Sequence, residues 1–357
     1  MVLAEVAAVP TNKYWDITRT LSYNCMFNFI IGPRGAGKTY GTLKYCIGKY
    51  LKEKEAGREW QFLYVRRLST ELDKLTVMRG GRLFKAVQTE FPGHELKAES
   101  NILTCDKETI GYAVPLSTAS ILKSDAFPSV QMIVFDEFII DNSGTYHYLK
   151  DEVRKFLDLY ETVARPGTNH PFVSVMFLSN AVSIANPYFD YFYLNKPYNG
   201  EFQRFGKSRD ILVQNVEVAD FQRDKHSSRF GQLIDGSEYA SYAIDNEWLL
   251  DNEDFIAKKT RQCEYRMSLR YRDTWLGIWY DDLQGLYYVS LDVNLQCIHK
   301  YSATTDDHQP NVMLMRYGKQ QGIMKHLIAA YNYGAVRYES IKLKSWFKDI
   351  MRMFSSV

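Results

Sequence analysis

Cysteine is scarce and badly spaced for structural chemistry. The five residues Cys25, Cys46, Cys105, Cys263 and Cys297 are scattered through 357 positions and form no C-x-x-C pair. Neither a disulfide framework nor a zinc spacing is suggested, and the expectation is reduced thiols in a cytosolic protein. No stretch of 18 apolar residues occurs, so no transmembrane helix is expected. Val2–Val9 is apolar but short, contains Glu5 and lacks a basic start, so it does not read as a signal peptide. An excess of either charge is missing too. Against 42 Asp and Glu stand 44 Lys and Arg, a formal net charge of +2. That balance points to neither a basic nor an acidic partner, so any nucleic-acid contact must come from local patches. Aromatic residues, in contrast, are plentiful, with 26 Tyr and 20 Phe. The composition is globular, and the length suits two domains or one large one.

Phe27 to Tyr40, FNFIIGPRGAGKTY, carries the clearest chemistry. A β-prone apolar run meets a glycine-rich turn, and a helix-compatible stretch follows from Tyr40 to Tyr50. Gly32, Gly37, Lys38 and Thr39 fit G-x-x-x-x-G-K-[ST], the phosphate-binding loop. Gly32, Gly35 and Gly37 let the backbone turn tightly with its N–H groups inward, and the helix start aims its positive end at the same place. Arg34 and Ala36 complete the loop. Lys38 is expected on the β- and γ-phosphates of ATP and Thr39 on Mg²⁺.

Two later stretches supply partners. Met132 to Glu137 is four apolar residues followed by two acids, the pattern of a buried strand delivering carboxylates at its C-terminal edge, where open parallel sheets bind ligands. Asp136 is expected to hold Mg²⁺ through water and Glu137 to orient and deprotonate the attacking water. Phe172 to Asn180 is a second such strand, which would bring Ser179 and Asn180 beside the γ-phosphate if it neighbours the strand of the phosphate-binding loop. A helical stretch, Tyr148 to Val163, ends at Ala164-Arg165-Pro166-Gly167. By pattern alone Arg165 is either a solvated loop arginine or an arginine finger for a neighbouring subunit.

Gln61 to Arg67 reads as a strand ending in two arginines, Ser69 to Phe91 as helical, and Ile102–Cys105 with Ile110–Pro115 as a hairpin. Strands alternating with helices predict an α/β, doubly wound P-loop domain over residues 1–205. A linker region, 206–245, and a smaller α+β domain, 246–357, follow. The linker carries Arg223, Lys225, His226 and Arg229, a solvated face or a nucleic-acid contact. In the last part, Glu264 to Leu291 reads as a meander, and Val312–Tyr331 and Ser340–Phe354 as helices. Leu343, Phe347, Ile350 and Phe354 line one face of the second helix; its basic side is solvated or meets nucleic acid. Asp281, Asp282, Asp292, Asp306 and Asp307 raise the question of a two-metal nuclease, but no spacing makes it specific and they read as turn residues.

Several runs carry a resemblance: Asn28 to Lys38, Tyr64 to Arg67, Glu90 to Leu96, Ile133 to Phe138, Leu178 to Ser183 and Arg229 to Tyr239 (RFGQLIDGSEY). With these, the chain resembles the DNA-packaging ATPases of phi-twenty-nine-like phages, small tailed phages whose motors use a packaging RNA. The resemblance covers almost the whole length and implies an ASCE-type P-loop ATPase with a C-terminal domain like a ribonuclease-H-like nuclease that has lost its metal-binding acids. It implies a ring, a homopentamer, in the host cytoplasm, docked through packaging RNA on the portal of a prohead and driving double-stranded DNA inward. By the same resemblance Arg165, after Glu161-Thr-Val-Ala, becomes a trans-acting finger and Lys123 a second basic residue offered across the interface, whereas a third such lysine is replaced by Ser69. From the motifs alone two alternatives stay open: a ring-forming translocase or helicase without a capsid, and a non-hydrolysing nucleotide-gated scaffold.

Overall fold

A computed structural model describes residues 13–76, 82–124, 127–140, 147–165, 172–194, 200–246, 248, 255–318 and 322–355. The chain forms two units, Met1–Val182 with Asn186–Leu249, and Ser183–Ala185 with Leu250–Val357.

The first unit is built on nine strands: β1 (Phe27–Ile31), β2 (Gln61–Arg66), β3 (Leu96–Glu99), β4 (Ile102–Cys105), β5 (Glu108–Pro115), β6 (Val130–Asp136), β7 (Ser174–Ser179), β8 (Phe202–Phe205) and β9 (Ile211–Asn215). They lie in the order β3-β4-β5-β2-β6-β7-β1-β9-β8. From β5 to β9 all neighbours are parallel; antiparallel β3, β4 and β8 close the edges. Every residue of β1 and β7 is buried, as continuous apolar runs covered on both faces should be. One face packs Ile30, Tyr64, Met132, Val134 and Leu178 against Leu43, Cys46 and Ile47 of the helix Lys38–Glu55. The other carries an aromatic layer. Phe29 stacks on Phe177 with centroids 4.3 Å apart, and Phe135 stacks on Phe156 of the helix Glu152–Val163.

This is an α/β fold with a mixed, mainly parallel sheet. Strand β7 lies between β1 and β6, so the two apolar strands with polar ends are immediate neighbours. The hairpin expected at 102–115 is β4–β5, extended by β3. Of the helix expected over Ser69–Phe91, the described residues are helical at Ser69–Thr76 and form a short 3₁₀ turn at Gln88–Glu90, with residues 77–81 outside the described set. Beyond residue 205, β9 pairs with β1, and short helices Ala219–Ser227, Arg229–Ile234 and Glu238–Ala243 follow within the same unit. The stretch expected as a linker is therefore integral to the first unit, because β9 completes the far side of β1. Residues 195–199, ahead of that stretch, lie outside the described residues.

In the second unit β10 (Glu264–Tyr271), β11 (Thr274–Asp281) and β12 (Leu286–Ser290) form the expected meander. With β13 (Lys300–Ser302), β14 (Met313–Leu314) and β15 (Val336–Tyr338) the sheet order is β14-β13-β10-β11-β12-β15. The helix Ile341–Ser355 buries Leu343, Trp346, Phe347, Ile350 and Met351 in this unit's core. Over the stretch expected as one helix, Val312–Tyr331, the described residues form β14 and the helical segments Met315–Gly318 and Gly322–Asn332, with residues 319–321 outside the described set. The aspartates Asp281, Asp282, Asp292 and Asp307 have partners within this unit. Asp281 accepts from the Thr260 hydroxyl at 2.6 Å and from two backbone amides of its own turn, and Asp307 accepts from the Thr304 hydroxyl and Asp273 N. Asp282 and Asp292 pair with Arg266 and Lys259.

Candidate active site

Strands β1, β6 and β7 end at one sheet edge, and their ends meet there. After Ile31 the chain turns through Gly35 and Gly37, at φ +88° and +89°, and starts the helix at Lys38. A side chain at either glycine would be strained whatever space it had. Gly32 is tight for another reason: a Cβ there would lie 2.8 Å from Val216 Cβ and 3.2 Å from Lys38 Cδ. Ala36 is buried and Arg34 exposed. An 18-residue helix whose first turn follows such a loop presents positive backbone dipole to an anion.

The Lys38 ammonium is buried. It donates to Gly32 O at 2.8 Å, Pro33 O at 2.9 Å and Asn180 Oδ1 at 3.1 Å. Burial pushes its pKa down to about 7, against the Asp136 charge, which favours the proton. The Thr39 hydroxyl donates to Asp136 Oδ2 at 3.0 Å, and the buried Tyr64 hydroxyl donates to the same oxygen at 2.8 Å. Burial, with the Asp136 charge next, holds the Tyr64 hydroxyl protonated far above its ordinary range. Glu137 follows β6 in a left-handed conformation, φ +59°, and its exposed carboxylate lies 3.0 Å from Arg66 Nη1. A cleft of about 430 Å³ opens here, lined by Arg66, Glu71, Lys74, Glu137, Ser179 and Asn180 among others.

Gly32 to Thr39, Asp136, Glu137 and Asn180 are thus brought to one place. Arg165 is not part of that cluster. It is exposed, two residues past the helix Glu152–Val163. Pro166 and Gly167 lie outside the described residues, as does the side chain of Lys123, whose backbone belongs to the short helix Leu116–Ser124. Three residues at the site escaped sequence reasoning. Tyr64 and Arg66 alternate on β2 and so face the same side, a period-2 signal that the apolar run hides. Lys225, expected within a solvated or nucleic-acid-binding cluster, instead donates to Arg34 O at 2.6 Å and Ala243 O at 2.7 Å.

Residues 10–355 match the family model of the Podovirus DNA encapsidation protein (Gp16). The chain belongs to this family. The DNA packaging protein of Bacillus phage phi29 is 35% identical over 339 residues, 95% of this chain and 97% of that one. The DNA packaging protein of Bacillus phage B103 is 37% identical, over 90% and 94%. Among solved structures, the bacteriophage phi29 viral genome packaging motor assembly aligns over 96% of this chain and 99% of the matched chain, with a TM-score of 0.71 and 34% identity. The Gp16 family chain described here therefore shares both sequence and fold with such proteins along nearly its full length.

Proposed function

We infer that this chain is the ATP-hydrolysing subunit of a motor that drives double-stranded viral DNA through the portal of a preformed prohead. The observation that carries it is the meeting of Lys38 and Thr39 with Asp136 at the edge where β1 and β6 end, in a Gp16 family chain. ATP and Mg²⁺ fit the residues present: two left-handed glycines and a helix start suit phosphate oxygens, and a hydroxyl beside a carboxylate suits a hard divalent cation. Mg²⁺, when bound, would draw charge from the phosphates. Gly32, Arg34, Gly35, Ala36, Gly37 and Lys38 hold the triphosphate, with Thr39 and Asp136 on the metal.

Glu137 orients water and takes its proton at the carboxylate, for which it must leave Arg66. Asn180, hydrogen-bonded to Lys38, senses whether a γ-phosphate is present. The helix Glu152–Val163 is about 18 Å long, which supports an Arg165 that acts on a neighbour's site; Lys123 is its proposed companion. A homopentameric ring on packaging RNA and portal is the assembly we propose, working in the host cytoplasm. Among the described residues no helix is long and apolar enough to cross a membrane. A β7 between β1 and β6 supports assignment to ASCE-type P-loop NTPases. A β12-β11-β10-β13-β14 order supports a ribonuclease-H-like second unit, and aspartates committed to turns and ion pairs support its having lost the nuclease metals. DNA uptake into proheads tests the whole: the chain should release phosphate and protect DNA inside proheads. Duplex unwinding without proheads would favour a helicase, and absence of phosphate release a nucleotide-gated scaffold.

Lys38 adds a proton signature. Its pKa of about 7 in the free site is lowered from 10.5 by burial. Phosphates would restore the charge, so ATP binding should take up a proton above about pH 7 and lose that uptake as pH falls below 7. Calorimetry in two buffers of different ionisation enthalpy measures it; uptake that does not grow above pH 7 contradicts the assignment.

A further inference from the structure

Arg67 directly follows β2 and is only 1% exposed. A guanidinium buried that deeply needs every donor occupied. Its Nε donates to Glu152 Oε2 at 2.8 Å and its Nη2 to Glu152 Oε1 at 2.9 Å. Nη2 also donates to Phe138 O at 2.7 Å, and Nη1 to Glu137 O at 3.2 Å. Glu152 is equally enclosed and accepts in addition from Leu149 N at 2.8 Å and the Tyr188 hydroxyl at 3.1 Å.

These contacts meet at a left-handed turn of the site. Glu137 is a non-glycine residue at φ +59°, a conformation that persists only where its surroundings over-determine it. The amides of Glu137 and Phe138 both donate to Leu178 O, at 2.8 and 3.3 Å. The carbonyls of the same two residues both accept from Arg67. One side of the turn is thus fixed by β7 and the other by a side chain that Glu152 holds in place.

We propose that Arg67, clamped by Glu152, is a positioning residue for Glu137. It fixes the two carbonyls of the left-handed turn and so aims the carboxylate that it never touches. The proposal rests on the reading of Glu137 as the base. Glu152 is also the first residue of the helix Glu152–Val163, beyond which Arg165 stands. One buried ion pair therefore joins the base of one site to the helix that offers an arginine to the next.

The test uses the full chain in its assembled motor, with ATP affinity and kcat measured on one preparation. Arg67→Met with Glu152→Leu removes the pair as a unit and strands no charge, an exchange that is often neutral for folding. We expect an unchanged Kd for ATP and a kcat lower by about 10²-fold, the effect of roughly an ångström of misplacement in a reacting group. A parent-like kcat overturns the proposal. So does a kcat that falls only in step with lost ATP binding, as a general packing role would give. If the double variant does not fold, Arg67→Lys decides by the same two numbers, since an ammonium keeps the charge but not the fork that spans a carboxylate and two carbonyls. Glu137→Gln run alongside separates the layers. Normal hydrolysis by that variant removes the base itself, whereas its inactivity beside a parent-like pair variant removes the clamp alone.

Discussion

Changing Arg165 to alanine should slow ATP hydrolysis in the assembled ring by about 10³–10⁵-fold, the range supplied by arginines that neutralise a transferring phosphoryl group. The exposed position of Arg165 just past the helix Glu152–Val163 suits delivery to another subunit. Within its own chain, the start of that helix is tied through Arg67 to the acid pair, so Arg165 stands a helix length away from it. Complementation separates the possibilities. Arg165→Ala subunits keep an intact pocket, and Lys38→Ala subunits keep an intact arginine. Rings mixed from the two should hydrolyse ATP although neither does so alone, because an intact pocket then meets an intact finger. A mixture as inactive as its components would place the arginine's action within its own subunit.

Glu137→Gln carries the next largest effect. The amide preserves size and the left-handed backbone but cannot accept a proton from water. Hydrolysis should fall by about 10²–10⁴-fold, the contribution of a positioned general base. ATP binding should survive, since in the proposed site Gly32 to Thr39 would hold the phosphates and Thr39 and Asp136 the metal. The substitution also removes the negative charge that lies 3.0 Å from the Arg66 guanidinium. Nucleotide binding and phosphate release, measured together, show the split. An unchanged rate would remove Glu137 from the role.

The elements that build the site were legible because their signals are local. Glycines at positions 32, 35 and 37 announce a tight turn before a helix, and apolar runs ending in Asp136-Glu137 and Ser179-Asn180 announce strands opening at an edge. What was not legible depends on pairing across long separations. No local pattern places β7 between β1 and β6, or brings β9 from beyond residue 205 to the far side of β1. The Arg67–Glu152 pair joins residues 85 apart. An acid in the first turn of a helix reads as a dipole complement, and only the fold reveals that Glu152 faces a buried guanidinium instead. Lys225 shows the converse, a basic residue that resembled surface charge and proves to brace the glycine-rich loop. The left-handed backbone of Glu137 has no sequence signature, since glutamate ordinarily avoids that region.

The most direct test of the central claim is a structure of the ring assembled on its prohead with Mg²⁺ and a slowly hydrolysed ATP analogue. We expect phosphates against Gly32 to Lys38, Mg²⁺ held by Thr39 and Asp136, and the Glu137 carboxylate released from Arg66 and turned to the γ-phosphate. A nucleotide seated elsewhere, or Asp136 and Glu137 remote from a γ-phosphate held by Lys38, would contradict it.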